Sequence, residues 1–239
     1  MQAVIMQSVL AGLATVIGAV IALGVGKPGP RLTALLLGFA SGIMLFVVAI
    51  DLLPHALAAG RTRTAIGVIL GILGCKLCDI IIANYLRNSP SLYGKRRHFF
   101  RVGLMVALGI ALHDLPEGLA IGAGFASSGA IGTSLAIAIG LHNIPEGLSV
   151  AVPLILGGAS KWKMFGLCLS ISLVTPLGAI MGSLASSLSS AFIGMMLAYA
   201  AGAMTYVVAD ELIPTAHELS RSTGILGLAL GAVVVVLWL

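Results

Sequence analysis

The sequence contains one short polar motif twice, as HDLPEG at residues 113–118 and as HNIPEG at residues 142–147. Each copy lies inside a long apolar run, so ionisable and metal-ligating side chains occupy positions that a lipid bilayer penalises. Within each copy the histidine and the glutamate are four residues apart, which places both side chains on one face of a helix. The motifs therefore predict two helices that carry polar faces into an apolar bundle.

Two such helices facing each other would share a metal-binding space. Imidazole and carboxylate ligands suit Zn²⁺, Fe²⁺, Mn²⁺ or Co²⁺, and the motifs offer no thiolate for Cu⁺. If the two histidines are neutral, the two negative charges of the glutamates balance one divalent cation. The structural alternative is that each His–Glu pair only joins two helices, but two copies with the same spacing favour a metal site. The candidate metal-binding residues are His113, Asp114, Glu117, His142, Asn143 and Glu146.

Each motif also contains a proline at its fourth position, Pro116 or Pro145. Proline has no backbone N–H, so the carbonyl four residues earlier, on Leu112 or Leu141, loses its helical partner and can turn towards a cation or water. The motifs therefore predict two helices that are broken at their prolines.

Composition places the chain among membrane proteins. Of its 239 residues, 59% are hydrophobic and 9% are charged, which does not describe a soluble surface. The net charge of +5 could suggest a nucleic-acid partner. The basic residues lie mostly in loops beside apolar runs, however, so membrane topology explains the charge better and we expect no nucleic-acid partner. The predicted fold is an all-α polytopic membrane protein in a lipid bilayer, with apolar runs long enough for eight transmembrane helices. The spans are 4–24, 32–54, 65–86, 101–124, 131–156, 163–185, 190–213 and 222–239.

The distribution of lysine and arginine predicts the orientation. The loops after spans 1, 3, 5 and 7 hold ten of these residues, and the loops after spans 2, 4 and 6 hold two, Arg61 and Arg63. Cytoplasmic loops carry the excess of basic residues. We therefore expect a multi-pass protein of the cell (inner or plasma) membrane with both termini outside the cytoplasm.

An offset of 160 residues aligns the chain with itself. DLLPHA at 51–56 matches ELIPTA at 211–216, and the same offset relates spans 1–3 to spans 6–8. Successive spans cross the membrane in alternating directions. Matching spans differ by five in their order, and the motif-bearing spans 4 and 5 differ by one; because both differences are odd, related spans cross in opposite directions. This is the inverted repeat of many secondary transporters, whose site lies near the midplane. We expect a single domain over 1–239, with repeat halves at about 1–124 and 131–239.

More ionisable residues lie at the ends of spans 2 and 7. A charge at the bilayer centre costs about 2.5–3.5 kcal/mol on insertion scales, and intramembrane carboxylates often mark an ion path. The alternative is that these residues are simply solvated helix ends. The candidate pathway consists of Asp51 and His55 at the outer end and of Asp210, Glu211, His217 and Glu218 at the inner end.

A second metal-like motif, Cys75 and Cys78 in span 3, is a weak signal because a single CxxC in a helix is common. Lys76 and Asp79, beside it, are interpreted as an intrahelical charge pair. All three cysteines lie within spans, so we expect no disulfide framework.

These motifs make the chain resemble the ZIP (Zrt/Irt-like protein) family of divalent metal transporters, in particular its GufA-like prokaryotic branch. The resemblance covers all eight spans, rests on HDLPEG and HNIPEG, and is supported by DLLPHA and ELIPTA. It implies uptake of Zn²⁺ into the cytoplasm and termini outside. Many members of the branch place a glutamate before the proline of span 6, where this chain has Thr175, so one anionic ligand of a second metal is missing. The implied primary ligands are His113, Glu117, His142 and Glu146, with Asp114 and Asn143 beside the second metal.

The sequence thus predicts a transporter and not an enzyme, whose bundle opens the central site alternately to either side. Zn²⁺ is the expected substrate, with Fe²⁺, Mn²⁺, Co²⁺ and Cd²⁺ as further candidates, and a homodimer is left open. The alternative from another class is an intramembrane metalloenzyme with a His/carboxylate centre. A passive metal channel would differ by a flux that does not saturate.

Overall fold

A computed structural model describes residues 1–87, 94–184 and 189–238, and this part of the chain is helical without strands. Seven helical segments in it, some of which join two of the helices named below, are long and apolar enough to cross a membrane. The all-α polytopic membrane class is therefore confirmed. The helices are α1 Gln2–Val25, α2 Pro30–Val47, α3 Leu53–Ala58, α4 Arg61–Arg87, α5 Gly94–Ser127, α6 Gly129–Leu156, α7 Lys161–Ser172, α8 Val174–Leu184, α9 Ser190–Val207 and α10 Ile213–Trp238.

Local signals in the sequence explain several helix starts. The hydroxyls of Ser128, Ser160 and Ser189 accept hydrogen bonds from backbone N–H groups in the first turns of α6, α7 and α9. These contacts satisfy donors that a helix start otherwise leaves unpaired. Pro30 occupies the first turn of α2, where its missing N–H costs nothing.

The observed helices differ from the predicted spans at three places. Helix α5 begins at Gly94, seven residues before predicted span 4, so Arg101 lies inside a helix and not at the edge of a loop. Predicted span 6 is divided at Leu173 into α7 and α8. The stretch Ser190–Leu237 is a single apolar segment of 48 residues that is interrupted at Ser220, whose φ of −167° and ψ of 102° are not helical.

The motif prolines do not break their helices, contrary to the prediction. Pro116 lies inside α5 and Pro145 inside α6, and each helix continues to its end as one element. Proline removes one backbone hydrogen bond, and packing against neighbouring helices is sufficient to keep the remaining turns in place.

Two π-helical segments interrupt the helical ladder at equivalent positions. The first, Val48–Leu52, joins α2 to α3, and the second, Val208–Leu212, joins α9 to α10. Each carries acidic residues, Asp51 in the first and Asp210 and Glu211 in the second. Such segments often occur at functional sites because the wider turn redirects side chains.

The helices pack as two groups. The motif bundle consists of α1, α5, α6, α7 and α8, and the flanking bundle consists of α2, α3, α4, α9 and α10. The two bundles meet along a seam, where α5 packs against α9 and α4 and where α6 packs against α2. Close approach within the flanking bundle depends on glycine: a Cβ on Gly67 would lie 2.7 Å from the Met195 carbonyl oxygen.

Candidate metal centre

The six candidate metal-binding residues are all buried at the contact between α5 and α6. Their side chains are polar or charged in a bundle whose other buried positions are mainly apolar. The exposed fractions are 0% for His113, Asp114, Asn143 and Glu146, 1% for Glu117 and 5% for His142.

The histidines and glutamates contact each other between helices. His113 Nε2 lies 3.1 Å from Glu146 Oε1, and His142 Nε2 lies 3.2 Å from Glu117 Oε2. The equal spacing of the two motifs explains this exchange: when two helices face each other, each His–Glu face meets the same face of its partner. The four side chains thus form two His–Glu pairs across the contact between α5 and α6.

These contacts leave several buried polar atoms without a partner. Among the described residues, none offers a hydrogen bond to Glu117 Oε1, Glu146 Oε2, Asp114 Oδ1 or His113 Nδ1. Buried polar groups are nearly always hydrogen-bonded, and unpaired carboxylate oxygens inside an apolar bundle are costly. A role that is limited to joining two helices does not satisfy these oxygens, whereas a bound cation would.

Part of the cluster has the geometry of a metal site. One ligand atom from each of His113, Asp114 and Glu146 can be chosen so that all three lie within 4.8 Å of one another. The other carboxylate oxygen of Asp114 accepts a hydrogen bond from Thr175 Oγ1 at 3.3 Å. The Thr175 hydroxyl, on α8, therefore fixes the orientation of Asp114.

Asn143 makes a different contact from its neighbours. Its Nδ2 donates to the Ala11 carbonyl oxygen on α1 at 3.0 Å, while its Oδ1 has no hydrogen-bond partner in the part of the chain that the structure describes. The amide therefore joins α6 to α1 and leaves only one oxygen for a cation.

Comparison with known proteins agrees with this site. A family model described as ZIP Zinc transporter matches residues 93–238, which include both motifs. A protein named zinc transporter ZupT from Chlorobium luteolum is 37% identical over 256 residues, covering 99% of this chain and 96% of that protein.

The chain belongs to the ZIP zinc transporter family.

Two more relatives support this assignment. Proteins named zinc transporter ZupT from Chlorobium phaeovibrioides and from Stenotrophomonas maltophilia strain R551-3 are 38% and 35% identical to the chain. The alignments cover 90% and 88% of the chain, and 88% and 84% of the two relatives. The resemblance drawn from the sequence motifs is confirmed.

In this ZIP chain a cavity of about 270 Å³ reaches two of the candidate metal-binding residues along the seam. Glu117 and His142 line it, and so do two predicted pathway residues, Asp51 and His55. His55 is exposed and contacts the partly buried Asp51: its Nδ1 lies 3.1 Å from Asp51 Oδ1. The structure thus brings the outer pathway residues and two central residues to the same cavity.

The inner pathway residues have a different arrangement. Ligand atoms of Asp210 and Glu211 lie within 4.8 Å of each other and of Asp79 on α4. The guanidinium of Arg101 contacts the carboxylates of both Asp79 and Glu211. His217 and Glu218, also predicted for the pathway, are exposed on α10, and Glu218 Oε2 lies 3.9 Å from His98 Nε2.

Two details of the ZIP chain were not found from the sequence. The interpretation of Lys76 and Asp79 as an ion pair is wrong, because Asp79 pairs with Arg101 and Lys76 is exposed. Arg101 itself was counted as a loop residue. The sequence did contain a signal for this ion pair: Asp79 is an acidic residue inside span 3, where a bilayer makes an unpaired charge costly, so a basic partner on another helix could have been expected.

The CxxC pair does not form a metal site with the other groups that the structure describes. Cys75 is buried, and its thiol lies 3.7 Å from the Ala203 carbonyl oxygen on α9. This contact supports the structural interpretation of the motif.

Proposed function

We propose that this protein moves Zn²⁺ across the membrane into the cytoplasm through the site formed by the HDLPEG and HNIPEG motifs. The observation that carries the proposal is the pairing of two buried histidines with two buried glutamates between α5 and α6, with carboxylate oxygens left over. The three relatives described above bear the name zinc transporter. The family assignment favours a transporter over the metalloenzyme alternative.

Binding follows from the chemistry of the paired groups. A zinc ion in the space between α5 and α6 would replace the His–Glu contacts with bonds to imidazole nitrogen and carboxylate oxygen, ligands that Zn²⁺ accepts. With His113 and His142 neutral, the ion cancels the charges of Glu117 and Glu146. Any proton held in the His–Glu contacts must leave when both atoms ligate the metal, so protons compete with zinc.

The proposed stoichiometry is one zinc ion for each chain. Thr175 stands where many relatives of this branch carry glutamate, and its hydroxyl already donates to Asp114. The Asn143 amide is held by the backbone of α1. These contacts leave a second ion with too few anionic ligands. Fe²⁺, Mn²⁺, Co²⁺ and Cd²⁺ accept similar ligands and are proposed as competitors.

The proposed membrane arrangement has eight crossings. The segment Ser190–Leu237 has 48 residues, and a straight helix of that length would measure about 72 Å, more than twice the ~30 Å hydrocarbon thickness. Its interruption at Ser220 supports two crossings, the second of them in α10. With the basic residues in the cytoplasm, both termini lie outside, in the cell membrane.

Recurring contacts support an inverted repeat. Gly118 of the first motif packs on Thr175, and Gly147 of the second packs on Thr15. Thr15 and Thr175 are separated by the offset of 160 residues found in the sequence, and so are the two π-helical segments. We therefore propose one transport domain over 1–239 with halves at about 1–124 and 131–239.

Because both motifs belong to one chain, the site does not require the second copy of a homodimer.

The pathway proposal assigns the entrance to Asp51 and His55. Both line the cavity that reaches Glu117 and His142, so a cation attracted there meets the central ligands next. Asp210 and Glu211 are proposed for the opposite end, where release occurs. His217 and Glu218 are exposed beyond them, on the same end of the bundle.

Zinc uptake into sealed proteoliposomes tests the function. Liposomes loaded with a zinc-sensitive dye and reconstituted with the protein should show a saturable signal that Glu117→Gln and His113→Ala remove. Lys161→Ala is the control, because this side chain is exposed in the first turn of α7, outside both the motifs and the proposed pathway. Uptake that the motif variants leave unchanged would refute the site, and zinc binding without uptake would favour the metalloenzyme alternative.

A further inference from the structure

An ion-pair cluster lies at the end of the seam opposite the cavity. Arg101 on α5 contacts Asp79 on α4 and, at 3.1 Å, Glu211 in the second π-helical segment. Glu211 is 1% exposed, Asp79 is 17% exposed and Arg101 is 27% exposed. A single guanidinium from the motif bundle thus holds two carboxylates of the flanking bundle, where little water competes for them.

The cluster lies on the same helix as the metal site but far from it. From Arg101 to Glu117 is 16 residues along α5, a rise of about 24 Å. The cavity meets α5 at Glu117 and near the other end of the helix, at Gly124. Along α5, the seam is therefore open on one side of the metal-binding residues and joined by charge on the other.

Apolar side chains close the seam directly beside the ion pairs. Met105, one turn after Arg101 on α5, is 0% exposed and packs with Ile82 and Leu86 of α4. Tyr206 of α9 packs against the same cluster. Along α5, Met105 lies between Arg101 and Glu117, so this apolar cluster closes the seam between the ion pairs and the central site.

We propose that Arg101 is a gate latch: its guanidinium, bound to Asp79 and Glu211, holds the motif and flanking bundles together on the release side while the cavity on the other side admits zinc. The inference rests on the proposed function, because it assigns a release side. Both carboxylates approach the same nitrogen, Arg101 Nη2, which is hydrogen-bonded to Asp79 and forms an ion pair with Glu211. The guanidinium is always charged and is more weakly hydrated than a lysine ammonium, so it suits an ion pair that is largely buried. When the bundles shift, the two acidic residues lose their positive partner, and the release side carries net negative charge that attracts a departing cation.

Thiol labelling tests the latch independently of transport. In a Met105→Cys protein, a membrane-impermeant thiol reagent applied to the release side of membrane vesicles should react slowly, and mass spectrometry would locate the label. Adding Arg101→Gln, which breaks both ion pairs, should raise the labelling rate at residue 105 about tenfold, and Asp79→Asn, which leaves the contact between Arg101 and Glu211, should raise it less. Because Arg101→Gln already removes the contact that Asp79→Asn breaks, the double variant should label no faster than Arg101→Gln alone. The labelling rate of the Arg101→Lys variant should lie between the rate with Arg101 and the rate with Arg101→Gln.

Two controls distinguish a gate from a loss of folding. Lys95→Gln removes one positive charge from an exposed position in the first turn of α5 and should leave the rate unchanged. The native Cys168, which is fully buried, should label no faster in any variant. The latch is refuted if Arg101→Gln labels residue 105 at the original rate, if Lys95→Gln raises the rate equally, or if the two single effects add. The zinc uptake of the unaltered protein is measured separately, so refuting the latch leaves the proposed function intact.

Discussion

Substituting Gly147, the last residue of the second motif, tests whether close helix packing positions the metal-binding residues. A Cβ at Gly147 would lie 2.8 Å from the carbonyl carbon of Thr15 on α1, where ordinary van der Waals contact begins at 3.4 Å. In Gly147→Ala, α1 and α6 must therefore separate by at least about 0.6 Å, and overpacking of this kind costs about 1–3 kcal/mol. Helix α6 also carries His142 and Glu146, and ligand sites tolerate displacements of only about 0.5 Å.

Two measurements follow from this displacement. The midpoint of thermal unfolding in detergent should fall by about 2–10 °C, as expected for a chain of this size, and zinc uptake should fall about tenfold. Gly24→Ala is the matched control, because a Cβ at that position of α1 has nothing within 4 Å. It should leave both quantities unchanged or raise the unfolding midpoint slightly. If Gly147→Ala behaves like Gly24→Ala, the packing argument is wrong.

Three further predictions concern the site and its entrance. Acidification from about pH 7.5 to about pH 5.5 should weaken zinc binding measured by calorimetry, because protons compete for the histidines and carboxylates; equal affinity at both values would contradict the shared site. Thr175→Glu should raise the zinc bound per chain from one ion to two, measured by elemental analysis of desalted protein, and a ratio already near two in the unaltered chain would refute the single-ion proposal. Asp51→Asn should raise the KM of zinc uptake and leave the maximal rate nearly unchanged, whereas a lost maximal rate with constant KM would argue against an entrance role.

The sequence was sufficient to predict the features that depend on local pattern. Apolar runs identified the membrane helices, and the spacing of His113 with Glu117 and of His142 with Glu146 predicted two polar helix faces. The offset between Asp51 and Glu211 marked positions that lie in two π-helical segments. The first two signals are contained within a few helical turns, and the repeat is found by comparing the chain with itself, so no knowledge of the neighbouring helices was needed.

Partners in space required the structure. The contact of His113 with Glu146, and not with Glu117 of its own helix, depends on how α5 faces α6. The interpretation of Asp79 failed for the same reason, since Lys76 is the nearest opposite charge in the sequence and Arg101 the nearest in the fold. Hydropathy also placed the start of α5 too late, because basic residues form helices readily but do not count as a membrane span.

X-ray absorption at the zinc edge of the loaded protein tests the central claim most directly. Zinc bound by the two motifs should have a first shell of nitrogen and oxygen only, at about 2.0–2.1 Å, with the outer scattering of imidazole. The imidazole signal should decrease in His113→Ala and in His142→Ala. A sulfur shell at about 2.3 Å, or a spectrum that both histidine variants leave unchanged, would contradict a zinc site built from the two motifs.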